Sequence, residues 1–287
     1  MSRRGTILVT GATGKVGRNV AGQLLDAGHA VRAVTRRPAT ADLAGAEIFQ
    51  ADLTAPDSLK VAATGCGVAF LLWPYGASRN DQVEVMLELL SQRMRRVVCL
   101  SSRGVRDDVV KQHEPNAQFH ADVERAIIES GLTWTFLRPG GFAANTLMWA
   151  DQVRDPGVVR APFGALSRPL IDERDIARVA VAALTDDVHA GATYVLSGPN
   201  SLTQVEQVET IGAVIGRPLR WEEQSIEAAR ESMLRQGMPP SMVDGALATW
   251  ARMLTAPETP TTTVQQVTGR RPASFVDWVR AHRGEFV

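Results

Sequence analysis

Three glycines, at positions 11, 14 and 17 of GATGKVG, follow the apolar run GTILVT and open a stretch of helical character. A turn this tight needs a positive φ or a missing Cβ at some of its positions. Main-chain N–H groups at a helix N-terminus then point at whatever anion the turn admits, and a pyrophosphate suits this strand–turn–helix arrangement. Gly11, Ala12, Thr13, Gly14, Lys15, Val16 and Gly17 are the expected contacts, and Gly17 lets the helix pack close. The next strand ends in VTRRP. A carboxylate there would accept a hydrogen bond from a ribose 2′-hydroxyl. Arg36 and Arg37 instead offer guanidinium forks to a 2′-phosphate, with Lys15 as a further positive charge. The expected cofactor is therefore NADP(H). A mononucleotide P-loop is not expected, because Val16 follows Lys15 where Ser or Thr would be needed.

Such residues must be held by a particular frame. Short β-rich runs at 5–10, 29–36, 46–53, 67–73, 95–102 and 132–139 alternate with helical patterns at 15–28, 81–94 and 118–131. In the first helix Val16, Val20, Leu24 and Leu25 share one face, and Gly28 suits the stop. This alternation predicts an α/β fold, a Rossmann-type doubly wound parallel sheet with right-handed crossovers. Beyond about residue 140 the rhythm changes. Helices are expected at 171–184 and 202–216 and in the stretches starting at 225, 239 and 275, with strands at 192–198 and 218–223. The Pro/Thr-rich segment 255–272 reads as a connector. The predicted organisation is an NAD(P)-binding domain over 1–150 and a smaller C-terminal α+β substrate lobe over 151–287, with some segments returning to the first domain.

Composition excludes several classes. The chain has 287 residues, with 31 Lys+Arg against 31 Asp+Glu, so no basic excess marks a nucleic-acid surface. Apolar residues make up 45%, enough for a sizeable core. No apolar run approaches the ~18–20 residues that span a bilayer, and MSRRGTILVTG enters a strand without a signal peptide. The expectation is a soluble cytoplasmic protein. Cys66 and Cys99 read as small buried hydrophobes. His113-Glu114 is followed by Pro115 and has no second histidine in register, so no metal site is expected.

The segments TGATGKVG, ADL, LLWP, VVCLSS, FHADVERAIIESGLTWTFLRPGGFAAN, RPLIDERDIARVAVAAL and YVLSGPNSLT together resemble the NmrA-like branch of the atypical short-chain dehydrogenases/reductases. That branch includes NADPH:quinone reductases and NADP-sensing regulators. The resemblance implies that Asp52 and Leu53 meet the adenine. It places Leu72 and Trp73 on the nicotinamide side and runs Pro139, Gly140 and Phe142 past that ring. Redox-active members carry Tyr-x-x-x-Lys on the helix after the fifth strand and a serine at that strand's end. Here Ser101 or Ser102 takes the serine place. Counted from Glu124, His120 takes the lysine place and Asn116 the tyrosine place. Asn116 cannot donate a proton as a phenol does. The only tyrosines are Tyr75, a candidate substitute acid, and Tyr194. His120 is a candidate to hydrogen-bond ribose or substrate and to titrate near neutral pH. The plainer alternative is an i,i+4 pair with Glu124.

The implied function is an NADPH-dependent oxidoreductase acting on a quinone or another conjugated or aromatic carbonyl. Trp73, Tyr75 and Phe142 would shape a pocket for that flat small molecule. Hydride transfer to a quinone tolerates the missing tyrosine, because quinone oxygens are readily protonated. Two other readings share these residues: an NADP(H) sensor without turnover, and a non-redox dehydratase or cyclase using His120 or Glu124 as acid/base. Neither nucleic acid nor membrane is an expected partner, and a homodimer is a candidate assembly. Asp172 and Asp175 look like paired carboxylates but fit a helix-capping role better.

Overall fold

The computed structural model describes residues 5–40, 42–73 and 80–287. In chain order the strands are β1 (Thr6–Val9), β2 (Val31–Thr35), β3 (Glu47–Gln50), β4 (Cys66–Leu72), β5 (Arg96–Leu100), β6 (Thr133–Pro139), β7 (Val158–Ala161), β8 (Ser167–Arg168), β9 (Ala192–Leu196), β10 (Leu202–Thr203) and β11 (Arg220–Glu223). The helices are α1 (Lys15–Asp26), α2 (Pro56–Ala63), α3 (Asn80–Ser91), α4 (Pro115–Glu129), α5 (Ala150–Arg154), α6 (Glu173–Thr185), α7 (Gln204–Ile215), α8 (Ile226–Arg235), α9 (Pro240–Thr255), α10 (Thr263–Thr268) and α11 (Phe275–Ala281). Seven strands form one sheet in the order β3-β2-β1-β4-β5-β6-β9, with every neighbouring pair parallel. This is the doubly wound Rossmann order, in which the chain reverses direction across the sheet between β1 and β4.

Strand alternation divides the core between two faces. Leu8 pairs with Ala69, Ala69 with Val97, Leu71 with Cys99, and Cys99 with Phe136. All of these point to the face covered by Leu59 of α2, Met86 and Leu90 of α3, and Val123 and Ile127 of α4. The other face carries α1, α6 and α10: α6 packs on α1 and on β4, β5 and β6, and α10 packs on α6 and β9. Both cysteines are free and buried, as expected.

The chain forms two compact units. The first comprises Met1–Pro139, Glu173–Leu196 and Thr263–Arg270; the second comprises Gly140–Asp172, Ser197–Thr262 and Arg271–Val287. The Pro/Thr-rich segment is therefore more than a connector. It contains α10, whose Val264 is fully buried, so one apolar side chain docks a stretch whose composition suggested only a linker.

The second unit holds two small ladders, β7 with β11 in parallel and β8 with β10 antiparallel. Its main core gathers Trp149, Val159, Val208, Ile211 and Trp278. The helix α7 starts with a Thr203/Glu206 capping box and stops at Gly216, whose φ is +78°. The helices α8 and α9 pair through Ala229, Met233, Val243 and Leu247, with Phe163 and Trp250 against them. The helix expected from 239 thus packs within its own unit.

Candidate functional site

The candidate residues of the first unit lie at the carboxyl ends of adjacent parallel strands, where open α/β sheets bind ligands. Thr10 fixes the first of these ends. Its hydroxyl donates to the Phe70 carbonyl at 3.1 Å and accepts from the Leu72 N–H at 2.8 Å, tying β1 to β4. The chain then turns at Gly11, whose φ of +61° only glycine adopts without cost. The Gly11 carbonyl accepts from the Gly14 N–H at 2.9 Å. A Cβ on Gly17 would stand 2.2 Å from that same carbonyl oxygen, so Gly17 packs the first turn of α1 against the glycine turn itself.

The start of α1 is built to receive an anion. Gly14 is its N-cap, no side chain caps it, and its first turn contains no acid. The first N–H groups of a helix have no partner within the helix and carry its positive dipole end. Lys15 is exposed beside them, and Val16 and Gly17 are buried beneath. Ala12 is fully buried and donates to the Val34 carbonyl at 3.2 Å.

Arg36 and Arg37 are brought to this turn by a contact between residues 22 positions apart in the chain. The Thr13 and Thr35 hydroxyls meet at 3.2 Å, and the Thr35 hydroxyl also accepts from the Arg37 N–H at 3.1 Å. Both guanidiniums belong to exposed residues. Asp52 follows β3 with its Oδ1 accepting from the N–H and the hydroxyl of Thr54, each at 2.9 Å. Those bonds, helped by the positive charge of Arg36, hold its carboxyl below the usual carboxylate range. Leu53 beside it is buried.

Leu72 is half-buried at the end of β4. Trp73 is 3% exposed and belongs to the core cluster on the α2–α4 face, so it presents no open ring for stacking. Its indole N–H is buried and has no hydrogen-bond partner among the described residues. Tyr75 lies outside the described residues.

At the end of β5 the two serines differ. The Ser101 hydroxyl is buried and donates to Glu124 Oε1 at 2.5 Å. Glu124 in turn accepts from Arg138, Nε to Oε1 at 2.9 Å and Nη2 to Oε2 at 2.6 Å. The same guanidinium reaches Asp107 at 2.9 and 2.6 Å, and it holds that carboxyl below its usual range. Ser101 is thereby committed to a buried ion-pair network. Ser102 is half-buried and accepts from the Gly104 N–H at 3.1 Å. No sequence motif marks Arg138, although it adjoins Pro139. Its partners come from α4 and the loop after β5, and no local spacing announces them.

His120 is half-buried on α4, in edge contact with Phe119 at 5.5 Å. Glu124 accepts from Ser101 and Arg138 rather than from His120, so the alternative i,i+4 pair does not form. Burial lowers the imidazole to about 4, so it is neutral at pH 7 rather than poised near neutrality. A Cβ on Gly104 would touch Ala117 at 3.3 Å, and Glu124 touches Ser101. Ala117, His120 and Glu124 share a helix face, so His120 lies on the α4 face turned to the Ser101–Gly104 segment. Asn116 is exposed.

Pro139 ends β6 and accepts from the Arg103 N–H at 3.0 Å. Gly140 and Phe142 belong to the second unit, where Phe142 bridges to Ile171. Asp175 is buried and pairs with Arg178 one turn along α6, a structural role.

Residues 11–187 match the NAD(P)H-binding family. The chain belongs to that family. Among relatives of this NAD(P)H-binding protein, the (4-alkanoyl-5-oxo-2,5-dihydrofuran-3-yl)methyl phosphate reductase of Streptomyces griseus is 39% identical over 98% of this chain and 99% of its own. The NAD(P)H azoreductase of Xenophilus azovorans is 32% identical over the same shares. An Escherichia coli NADPH-dependent quinone oxidoreductase, solved with NADPH, superposes with a TM-score of 0.82 at 22% identity, covering 97% of this chain and 99% of that one. The last likeness bears on the fold alone. The residues present fit the cofactor class: an uncapped helix N-terminus behind a glycine turn, with cations and no carboxylate at the end of β2. Among the described residues no cluster could hold a metal ion, and no helix is long and apolar enough to cross a membrane.

Proposed function

We propose that this NAD(P)H-binding protein is an NADPH-dependent reductase of small molecules carrying a quinone or another conjugated or aromatic acceptor. One observation carries the cofactor choice. The Thr13–Thr35 contact seats Arg36 and Arg37 beside the uncapped start of α1, where a 2′-phosphate is matched by two guanidiniums. The reductase reading rests on the named relatives, one of which reduces azo compounds and another a furanone phosphate. When bound, NADPH supplies a hydride.

The chain's own residues have simpler tasks. The turn Gly11–Gly17 with Ala12, Thr13, Lys15 and Val16 holds the pyrophosphate. Asp52 and Leu53 border the adenine, and Leu72 and Pro139 border the nicotinamide, whereas the buried Trp73 only backs the end of β4. Ser102 keeps its O–H for donation, while Ser101 keeps the loop in place through Glu124. His120, held neutral, offers an imidazole N–H and not an imidazolium. Such a site donates hydrogen bonds well and protons poorly, which suits an acceptor whose product oxygens take protons from water. Tyr75 remains the candidate substitute acid.

The test is a calorimetric titration with NADPH, NADP⁺ and NADH, followed by turnover on a quinone panel. NADPH should bind much more tightly than NADH, and the R36A/R37A double variant should erase that preference. Equal losses for both nucleotides would overturn the 2′-phosphate role. Tight NADP⁺ binding without turnover on any acceptor would turn the reading to an NADP(H) sensor.

A further inference from the structure

The second unit contains a cavity of about 80 Å³ that no role discussed so far explains. Trp149, Leu166, Leu170 and Trp250 form apolar walls, and Met148, half of whose surface is exposed, stands at its edge. One cation lines it: Arg168, on β8, whose side chain is 17% exposed. Its Nε donates to Glu258 Oε2 at 3.3 Å. A guanidinium has five N–H donors, and among the described residues neither Nη has a hydrogen-bond partner.

The fork is also fixed in place. A Cβ on Gly141 would stand 2.6 Å from Arg168 Cζ, 2.8 Å from Nη2 and 2.9 Å from Nη1. Gly141 has no positive φ to require glycine; it is glycine because the guanidinium lies against its Cα. The space where its side chain would stand is filled by Arg168. Of the other polar side chains of the wall, Asn145 is exposed, whereas Gln204 Nε2 donates to the Pro162 and Phe163 carbonyls, Gln207 Nε2 to the Leu202 carbonyl and the Thr146 hydroxyl to the Ala143 carbonyl.

Arg168 has no nitrogen among the buried unsatisfied atoms of the described residues, so its fork is reached by solvent, and a planar or tetrahedral oxyanion can replace that water by accepting from two donors at once. The apolar walls then favour a carbon skeleton next to that anion. We infer that this cavity is a substrate subsite for the anionic end, carboxylate or phosphate ester, of an amphiphilic aryl or alkyl compound, with Arg168 as its specificity-determining residue. At about 80 Å³ it takes the anionic group and a few attached atoms rather than a whole ligand. Its assignment to the substrate rests on the reductase reading; the binding itself does not.

The experiment is therefore calorimetric binding without turnover, on protein saturated with NADP⁺ so that the cationic turn at α1 is occupied. Phenyl phosphate, benzoate and neutral benzamide serve as probes. Both anions should bind at least tenfold more tightly than benzamide. R168M should lose at least tenfold for the anions and leave benzamide unchanged, and R168K should fall between. G141A keeps the arginine but pushes its fork away, so it should reproduce the R168M loss and guards against a misfolded R168M. Benzamide binding as tightly as benzoate, anion binding unchanged in R168M, or no binding of either anion would overturn the inference. Anion binding in a protein that reduces nothing would leave the subsite standing and remove the reductase reading. If NADP⁺ itself fails to bind, the cofactor reading fails separately, and the same probes are titrated into R36A/R37A protein.

Discussion

Replacing Glu124 by Gln is the sharpest way to separate structure from chemistry in this protein. The carboxylate is 5% exposed and accepts three hydrogen bonds, two from Arg138 and one from Ser101. A glutamine keeps one acceptor oxygen and turns the other into a donor facing donors. Arg138, itself 5% exposed, would keep only Asp107, whose side chain is 79% exposed. Removing one partner from a buried ion pair costs about 3–5 kcal/mol. For a domain of this size that is a fall in melting temperature of roughly 6–20 °C. The assay is thermal unfolding of E124Q and of the double variant E124L/R138M, with NADPH affinity in parallel. The double variant removes both charges and should recover much of the loss. If E124Q melts within about 2 °C of the wild type while losing turnover, the network reasoning is refuted and Glu124 becomes an acid/base candidate.

Other outcomes follow from the same geometry. His120 is held at about 4 in the folded chain, whereas an unfolded histidine titrates near ~6.5. Between those values the unfolded state binds a proton that the native state does not, so stability is full above the upper value and declines as pH falls toward the lower. H120N should flatten that part of the Tm–pH curve; an unchanged slope would show that His120 is not kept neutral. In G17A the new Cβ meets the Gly11 carbonyl at 2.2 Å, well inside the ordinary contact of 3.4 Å. The turn must shift, and NADPH affinity should drop at least tenfold by calorimetry; retained affinity would mean that the turn does not hold the pyrophosphate. Cys66 and Cys99 are buried, and burial raises both thiols. Neither should react with an aromatic disulfide reagent in native buffer, and both should react in denaturant. Fast labelling of native protein would contradict this packing.

Much of this protein is legible in the chain alone, because the signals concerned are local. Gly11 and Gly28 sit at positive φ where a turn and a helix stop were expected. The alternation of apolar runs and helical faces specified a parallel sheet, and the handedness of crossovers left few orders for its strands. The glycine turn and the Arg36-Arg37 pair each lie within a few residues of one strand end, so they could be read by spacing. What escaped the sequence depends on partners far apart along it. The helix α10 is held by one buried valine in a polar stretch. Arg138, Glu124 and the Ser101–Asp107 loop come from three separate segments, and only the packing of α4 against the ends of β5 and β6 makes them one network. That packing also takes Glu124 away from His120 and leaves the imidazole buried and neutral. In the second unit Gly141 looks like a backbone necessity until Arg168, 27 positions later, is seen to occupy the space where its side chain would be. Periodicity and turn chemistry set the frame, because they act between neighbours in sequence. Tertiary contacts decided which polar groups are satisfied and which remain for a ligand, because satisfaction is settled between residues that meet only in space.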